Sequence, residues 1–420
     1  SQVARAESGV APDQLALWEM SHEWGRAGSA GLVRILELTQ REDHEILVKA
    51  VADAQNAKTR WAFERGMNNP QIETLNGIVP LRPEGASLPP GAFDQLSERD
   101  RRQLHQACAR TLPGGHPACV MVVTEFDPLR AHPQLMFYRK DLIPEPPTSW
   151  EEVIAVGKKL KETNPEIAPL ALYYNNDGNR QNLFIWINFL WAAGADIFNE
   201  DGSAAWASEA GIQATKDYIA LHTEHGVTNP NSVAFNEQDA RQSFMQGNSA
   251  MMPVWWWAYS GFYNPDSSTL TKDQVGFTGM PSYMGTTKTY AISMPFSISE
   301  YSENKDAAWE FMKWLSNPEM DKANAIEREV GGKSIVNNVV THISSLQDAD
   351  VNAANDGIQN AAWESLAESD IMPQIPEWPE VGDLLSAAIA EAAAGGDTRQ
   401  LMMDAAEQAT RVLRRAGRIE

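Results

Sequence analysis

From residue 134 to the C-terminus, apolar and polar positions follow patterns regular enough to place elements. QLMFYRKDL (134–142) reads as a strand and PEPP stops it. Thr148 and Glu151 then stand at capping-box spacing, ahead of Val153, Val156, Gly157 and Leu160 on one helical face. Asn304 can cap a helix whose apolar stripe is Ala308, Phe311, Met312 and Leu315. Asp397 or Thr398 can cap the last helix, with Leu401, Met402, Ala405 and Val412 inward. AIAEAAAGG (388–396) is an Ala-rich helix ending at Gly. Strand candidates at 274–280 and 289–299 alternate with these helices, which predicts an α/β architecture. Nearer the start, LALWEMSHEW (15–24) is apolar enough for a buried strand. GRAGSAG (25–31) follows as a Gly-rich turn, and LVRILEL (32–38) as a helix. Residues 80–92 form a Pro/Gly-rich loop, and no internal repeat is visible.

With 420 residues the chain exceeds one ordinary core, so two domains are expected. A content of 43% hydrophobic and 21% charged residues excludes a disordered chain. The longest apolar runs, such as 183–193, fall short of the roughly 20 residues that span a bilayer. No N-terminal segment pairs a basic start with an apolar stretch, so the sequence reads as cytosolic or already processed. Formal net charge is −22, of which residues 1–134 carry −3 (14 basic, 17 acidic) and the remainder −19. Such acidity repels phosphate backbones and anionic lipid, so nucleic acid is not an expected partner. The two cysteines, Cys108 and Cys119, form no C-x-x-C pair, which argues against a metal or redox site. A single disulfide and two unrelated buried thiols both remain open.

The familiar catalytic motifs fail on spacing. Gly332-Lys333-Ser334 lacks the glycine five residues before Gly332 that a phosphate loop needs; Glu327 stands there. GRAGSAG is spaced G-x-x-G-x-x-G, which is not the dinucleotide fingerprint. His22-Glu23 and His44-Glu45 lack the second histidine of a zinc protease. A carboxylate pair for glycoside hydrolysis stays possible among 56 acidic residues, but nothing nominates one.

Two segments stand out. PVWWWAYSGFY (253–263) gathers Trp255, Trp256, Trp257, Tyr259, Phe262 and Tyr263. An aromatic ring suits the C–H face of a sugar, while amides, carboxylates and guanidinium groups suit its hydroxyl rim. As a strand this segment would point Trp255, Trp257 and Tyr259 to one face. The bland alternative is core, since Trp buries well and three in a row point both ways. NNDGNRQNLFIW (175–186) places Asn176, Asp177, Asn179, Arg180 and Gln181 beside Trp186. These are the donors and acceptors a polyol needs, but equally the residues of a polar loop capping a helix.

Four segments, in order and spacing, resemble the extracellular solute-binding proteins, family 1, which includes the maltose-binding type. They are QLMFYRKDLIPEPPTSWEEVIAVGKKLKE (134–162), FNEQDARQSFMQGNSAMMPVWWWAYSG (235–261), FSISEYSENKDAAWEFMKWLSNPEM (296–320) and SDIMPQIPEWPEVGDLLSAAIAEAAAG (369–395). Weaker likenesses lie at WEMSHEWGRAGSAGL (18–32), GIVPLRPE (77–84) and LPGGHPACVMVV (112–123). Between Asn69 and Gly77 the chain lacks the family's usual Pro-Asp strand and further helix, which implies a trimmed N-terminal lobe.

The resemblance implies a periplasmic-binding-protein type of α/β fold, with two α/β lobes joined by a hinge and a ligand cleft between them. The N-terminal lobe would be residues 1–133 plus 290–343 and the C-terminal lobe 134–289 plus 344–420, with crossings near 131–134, 286–292 and 340–348. It implies a sugar, oligosaccharide or related polyol as ligand, ABC permease transmembrane subunits as partner, no cofactor or metal, and no catalysis. A monomer is expected, periplasmic or extracellular and membrane-associated through the permease or a lipid anchor. Trp257 falls where the maltose-binding type stacks a Trp on sugar, flanked by Trp255, Trp256 and Tyr259. His132 takes the place of a polar contact. Ser293 and Met294 fall on a returning strand where many relatives have Gly-Trp. Gly331, Gly332 and Lys333 resemble a cleft loop, and Trp378 lies in the "Ile-Pro-Glu-aromatic" loop, with Gly382 at the position of a further Trp. Trp24 and Arg26 in the first cleft loop, and Asp177, Arg180 and Gln181, complete the expected ligand-binding set. The alternatives are an enzyme acting on polysaccharide and a carbohydrate sensor working without a permease.

Overall fold

The structure, a computed structural model, describes residues 2–41, 43–57, 63, 75, 77–82, 87–88, 92–93, 98–111, 119, 121–122, 131–177, 179–199, 201–293, 296–299, 301–326, 329–330, 333–334, 338–373 and 375–419. They fall into two compact units, Ser1–Glu125 with Glu420, and Phe126–Ile419.

In the first unit, helices Gln2–Glu7, Leu17–His22, Gly25–Leu36 and His44–Asn56 enclose Leu17, Met20, Leu32, Ile35, Leu47 and Val51. The strand expected over 15–24 is therefore the helix Leu17–His22, and the expected Gly-rich turn is the opening of the helix Gly25–Leu36. The reason is close packing. A Cβ at Gly28 would stand 2.1 Å from the Met20 carbonyl oxygen, and one at Gly31 would stand 2.6 Å from Met20 Cε. The glycines let two helices touch, a use that a turn signal cannot be told from by composition. Short strands β1 (Leu81–Arg82) and β2 (Met121–Val122) pair in parallel. Cys108, on helix Glu98–Ala109, is joined to Cys119 by a disulfide, which settles the open alternative.

The second unit is built on β3 (His132–Arg139), every residue of which is buried. β3 runs antiparallel to β5 (Ser249–Trp255), β6 (Val275–Thr278) and β7 (Thr289–Ile292). β4 (Ala168–Leu170) pairs parallel to β5, and β10 (Ser369–Asp370) parallel to β7. The sheet order is β10-β7-β3-β5-β4, with β6 also on β3. β8 (Glu329–Val330) and β9 (Lys333–Ser334) form a separate antiparallel pair. Strands buried on both faces read as continuous apolar runs, which is why β3 is visible in sequence.

Helix Leu183–Ala192, apolar all round, sinks into this core, and its Asn188 donates to Gln134 Oε1 on β3 at 2.8 Å. The capping box expected at Thr148 is shifted by one: Ser149 caps helix Trp150–Thr163, and Glu152 accepts from the Thr148 backbone at 2.7 Å. Asp397, not Thr398, caps helix Thr398–Arg415. Helix Lys305–Leu315 forms as expected but buries none of its stripe: Phe311 is exposed, and Asn304 makes no side-chain cap. The strand expected over 289–299 stops at Ile292.

Candidate functional site

β5 ends at Trp255, and Trp256–Tyr263 winds into a 3-10 helix, so the strand face expected to carry Trp255, Trp257 and Tyr259 does not exist. The turn nevertheless brings two of them together. The Trp255 and Trp257 rings lie 6° from parallel with centroids 5.9 Å apart. Trp255 meets Phe184 edge-on at 5.0 Å and Tyr290 at 6.1 Å. Register explains the neighbours. Gln134 on β3 pairs with Trp255 on β5, and the β3–β7 pairing of Pro133 with Ala291 carries Gln134 next to Tyr290. Trp255, Gln134 and Tyr290 thus form one row across three strands, above helix Leu183–Ala192.

Helix Glu237–Met245 supplies the charges. Asn236 and Asp239 close a capping box at its start, which fixes Glu237 in the first turn and Arg241 one turn on. Arg241 stands 5.8 Å from the Trp257 ring centroid, close enough for a cation–π contact. Its Nε lies 3.5 Å from Glu237 Oε1, an ion pair without hydrogen-bond geometry, so that Oε1 has no donor. Burial pushes the Glu237 carboxyl above its ordinary value, and Arg241 opposes the shift. The Glu237 backbone N–H donates to Gln181 Oε1 at 3.1 Å. Tyr173, fully buried, has its hydroxyl raised well above the usual range by burial and then by Glu237. Burial also lifts Tyr290 to about 12.

Among the described residues, Tyr173 Oη, Glu237 Oε1, Trp255 Nε1 and Trp257 Nε1 are buried in this neighbourhood without a hydrogen-bond partner, as are Gln134 Nε2 and Asn188 Oδ1. Buried polar atoms are rarely left unpaired, because each costs about 1–3 kcal/mol. A recess of about 220 Å³ opens beside Trp257 and Arg241, lined also by Gln238, Gln242, Met245, Ala258 and Gly261. Flat apolar rings next to unsatisfied donors and acceptors form a surface suited to a ligand with C–H faces and hydroxyls.

The remaining expected residues divide. Trp256 is fully buried and its Nε1–H donates to His132 Nδ1 at 3.2 Å, so both are spent on each other. Burial lowers His132 to about 4. Tyr259 donates to Asp356 at 2.5 Å. Arg180, at φ +58°, pairs with Asp383 at 2.9 Å and lies over Gly382, beside Trp378 at the start of helix Trp378–Ala393. Asp177 accepts from the Asn179 backbone at 3.0 Å. Trp24 and Arg26 are exposed residues of the first unit, and Ser293 is exposed beyond β7. Met294, Gly331 and Gly332 lie outside the described residues, as does the Lys333 side chain. Sequence reasoning missed Tyr173, Phe184, Glu237, Arg241 and Tyr290. Only Glu237 and Arg241 left a trace, as an i,i+4 charge pair behind an N-x-x-D cap.

Several known proteins are similar to this chain. A binding protein of Brucella abortus is 25% identical over 301 residues, 69% of this chain and 67% of the relative. Among solved structures, an ABC transporter solute-binding protein of Agrobacterium vitis with bound D-mannitol superposes with a TM-score of 0.61 at 22% identity, covering 71% of this chain and 75% of that one. The maltose-bound MalE3 of T. maritima gives 0.59 at 20% identity, covering 69% and 72%. The fold is thus of the periplasmic-binding-protein type. The family model described as bacterial extracellular solute-binding protein matches residues 124–322 of the 420.

Proposed function

We propose that this protein is the solute-binding component of an ABC importer, capturing a sugar or polyol and handing it to a membrane permease. The observation that carries the reading is the parallel Trp255–Trp257 pair, whose two indole N–H groups, like the nearby Tyr173 Oη and Glu237 Oε1, are buried without a hydrogen-bond partner. Rings cover the apolar face of a carbohydrate, while Glu237 and Tyr173 take its hydroxyl hydrogens and the two indole N–H groups meet its oxygens. The D-mannitol and maltose named for the two structural neighbours are of that chemical class. Nothing in the reading calls for a reaction: the protein binds and releases, acts outside the cytoplasm as a monomer, and uses no cofactor. Its lobes, divided as the resemblance implies, close on the ligand through the differential energy of contacts made in the closed state.

A panel of maltose, D-mannitol and other sugars and polyols, read by melting temperature and then calorimetry, tests this. Binding raises apparent stability by mass action, so at least one member should shift the melting point. A flat response across the panel, or new reducing ends on incubation with oligosaccharides, would remove the transport reading. Solution scattering checks closure, since bound ligand should shrink the radius of gyration.

A further inference from the structure

The three consecutive tryptophans do different work. Trp255 and Trp257 present indole N–H groups that have no partner, while Trp256 between them is fully buried and donates its N–H to His132. The Trp256 and His132 rings also stack, 5.8 Å apart. The Trp256 backbone is held as well. Its carbonyl accepts from Asn338 Nδ2 at 3.3 Å, and Asn338 Oδ1 accepts from the Ser260 backbone N–H at 3.1 Å. One carboxamide therefore spans the first turn of the 3-10 segment from Trp256 to Ser260. Asn338 is itself fully buried, and its own carbonyl accepts from Gln359 Nε2 at 2.8 Å. Tyr259, in the same turn, is tied to Asp356, which also pairs with Lys272 at 2.8 Å.

We propose that His132 and Asn338 are positioning residues: they lock Trp256 and its turn, and thereby set the angle and spacing of the Trp255–Trp257 stack that receives the ligand. A 3-10 helix has poorer hydrogen-bond geometry than an α-helix and is used only in short pieces, so an eight-residue run needs outside support. With the peptide at Trp256 free to rotate, Trp257 would leave the plane of Trp255, and the neighbouring unpartnered N–H groups would lose their common direction. This inference rests on the sugar-binding reading for its purpose but not for its geometry.

The readout is the exciton couplet that two closely stacked indoles give in far-ultraviolet circular dichroism, isolated as the difference between the wild-type protein and Trp257→Phe. Asn338→Ala and His132→Ala should each abolish most of this couplet in protein that still melts cooperatively. His132→Asn should restore it, since its side-chain oxygen can stand where Nδ1 stood. In case the alanine variants do not fold, Asn338→Asp keeps an acceptor for Ser260 but replaces the donor to Trp256 with an oxygen that repels its carbonyl; it should weaken the couplet. A merely stabilising role would lower the melting temperature and leave the couplet intact, and that result in folded Asn338→Ala or Asn338→Asp would overturn the inference. Because the couplet is read without ligand, failure of every sugar to bind would strike the functional reading and leave this one standing.

Discussion

Trp255 and Trp257 stack almost in parallel although one closes a strand and the other opens a 3-10 helix. They differ in burial: Trp255 is 5% exposed and belongs to the core, whereas Trp257 is half-buried and lines the recess. Their deletions should therefore separate. Trp257→Ala should weaken sugar binding at least tenfold by calorimetry and leave a cooperative melt near that of the wild type. Trp255→Ala should instead cost about 3–5 kcal/mol of stability, the usual range for truncating a buried aromatic side chain. Unchanged affinity in Trp257→Ala would take that ring out of the site.

Glu237 is a buried carboxylate whose Oε1 accepts nothing. A charged group hydrogen-bonded to ligand contributes about 1.5–3 kcal/mol, so Glu237→Gln should lower affinity by roughly tenfold or more. The Gln181 contact survives the change, because it goes to the backbone N–H, but Arg241 loses its ion-pair partner, so the melting temperature should fall as well. Calorimetry for binding and a melting curve for stability separate the two effects; retained affinity would show that Glu237 serves the fold alone.

How much of this was legible in sequence depends on what carried each signal. The run at β3 and the helix Thr398–Arg415 were visible because burial of a whole strand, and of a single helical stripe, leaves periodic marks along the chain. The Trp255–Trp257 pair was nominated by composition, but by the wrong geometry: an alternating strand would have added Tyr259, which turns away to Asp356. Tyr173, Tyr290 and Asn338 left no local mark, since register and distant packing bring them in. Gly28 misled outright. In sequence, a glycine that permits a turn and one that permits two helices to touch look the same.

His132 offers a pH test. Burial holds it at about 4 in the folded protein, below its ordinary 6.5, so on acidification the unfolded chain takes up the proton first. The stability that depends on neutral His132 is complete above pH 6.5, declines between 6.5 and about 4, and changes no further below. A shift of that size sets a ceiling of about 3 kcal/mol. In urea unfolding at pH 7 and pH 4.5, the wild-type protein should lose about 2–3 kcal/mol more than His132→Asn, which retains an acceptor but does not titrate. Equal losses would mean that His132 is as easily protonated folded as unfolded.

The first unit can be tested at its closest helix contact. A methyl at Gly28 would meet the Met20 carbonyl at 2.1 Å and the Met20 Cα at 2.9 Å, both backbone atoms that no side-chain rotation can move. Gly28→Ala must therefore push helix Gly25–Leu36 away from Leu17–His22 and open the packing of Leu17, Met20 and Leu32. Overpacking of this kind costs about 1–3 kcal/mol. Gly77, where an added methyl would meet nothing within 4 Å, supplies the control. Gly77→Ala should leave the melting temperature unchanged or slightly raised, whereas Gly28→Ala should lower it by several degrees, and hydrogen exchange should quicken first along 17–36. If both substitutions were equally silent, the two helices would have to pass each other with more room than this packing allows.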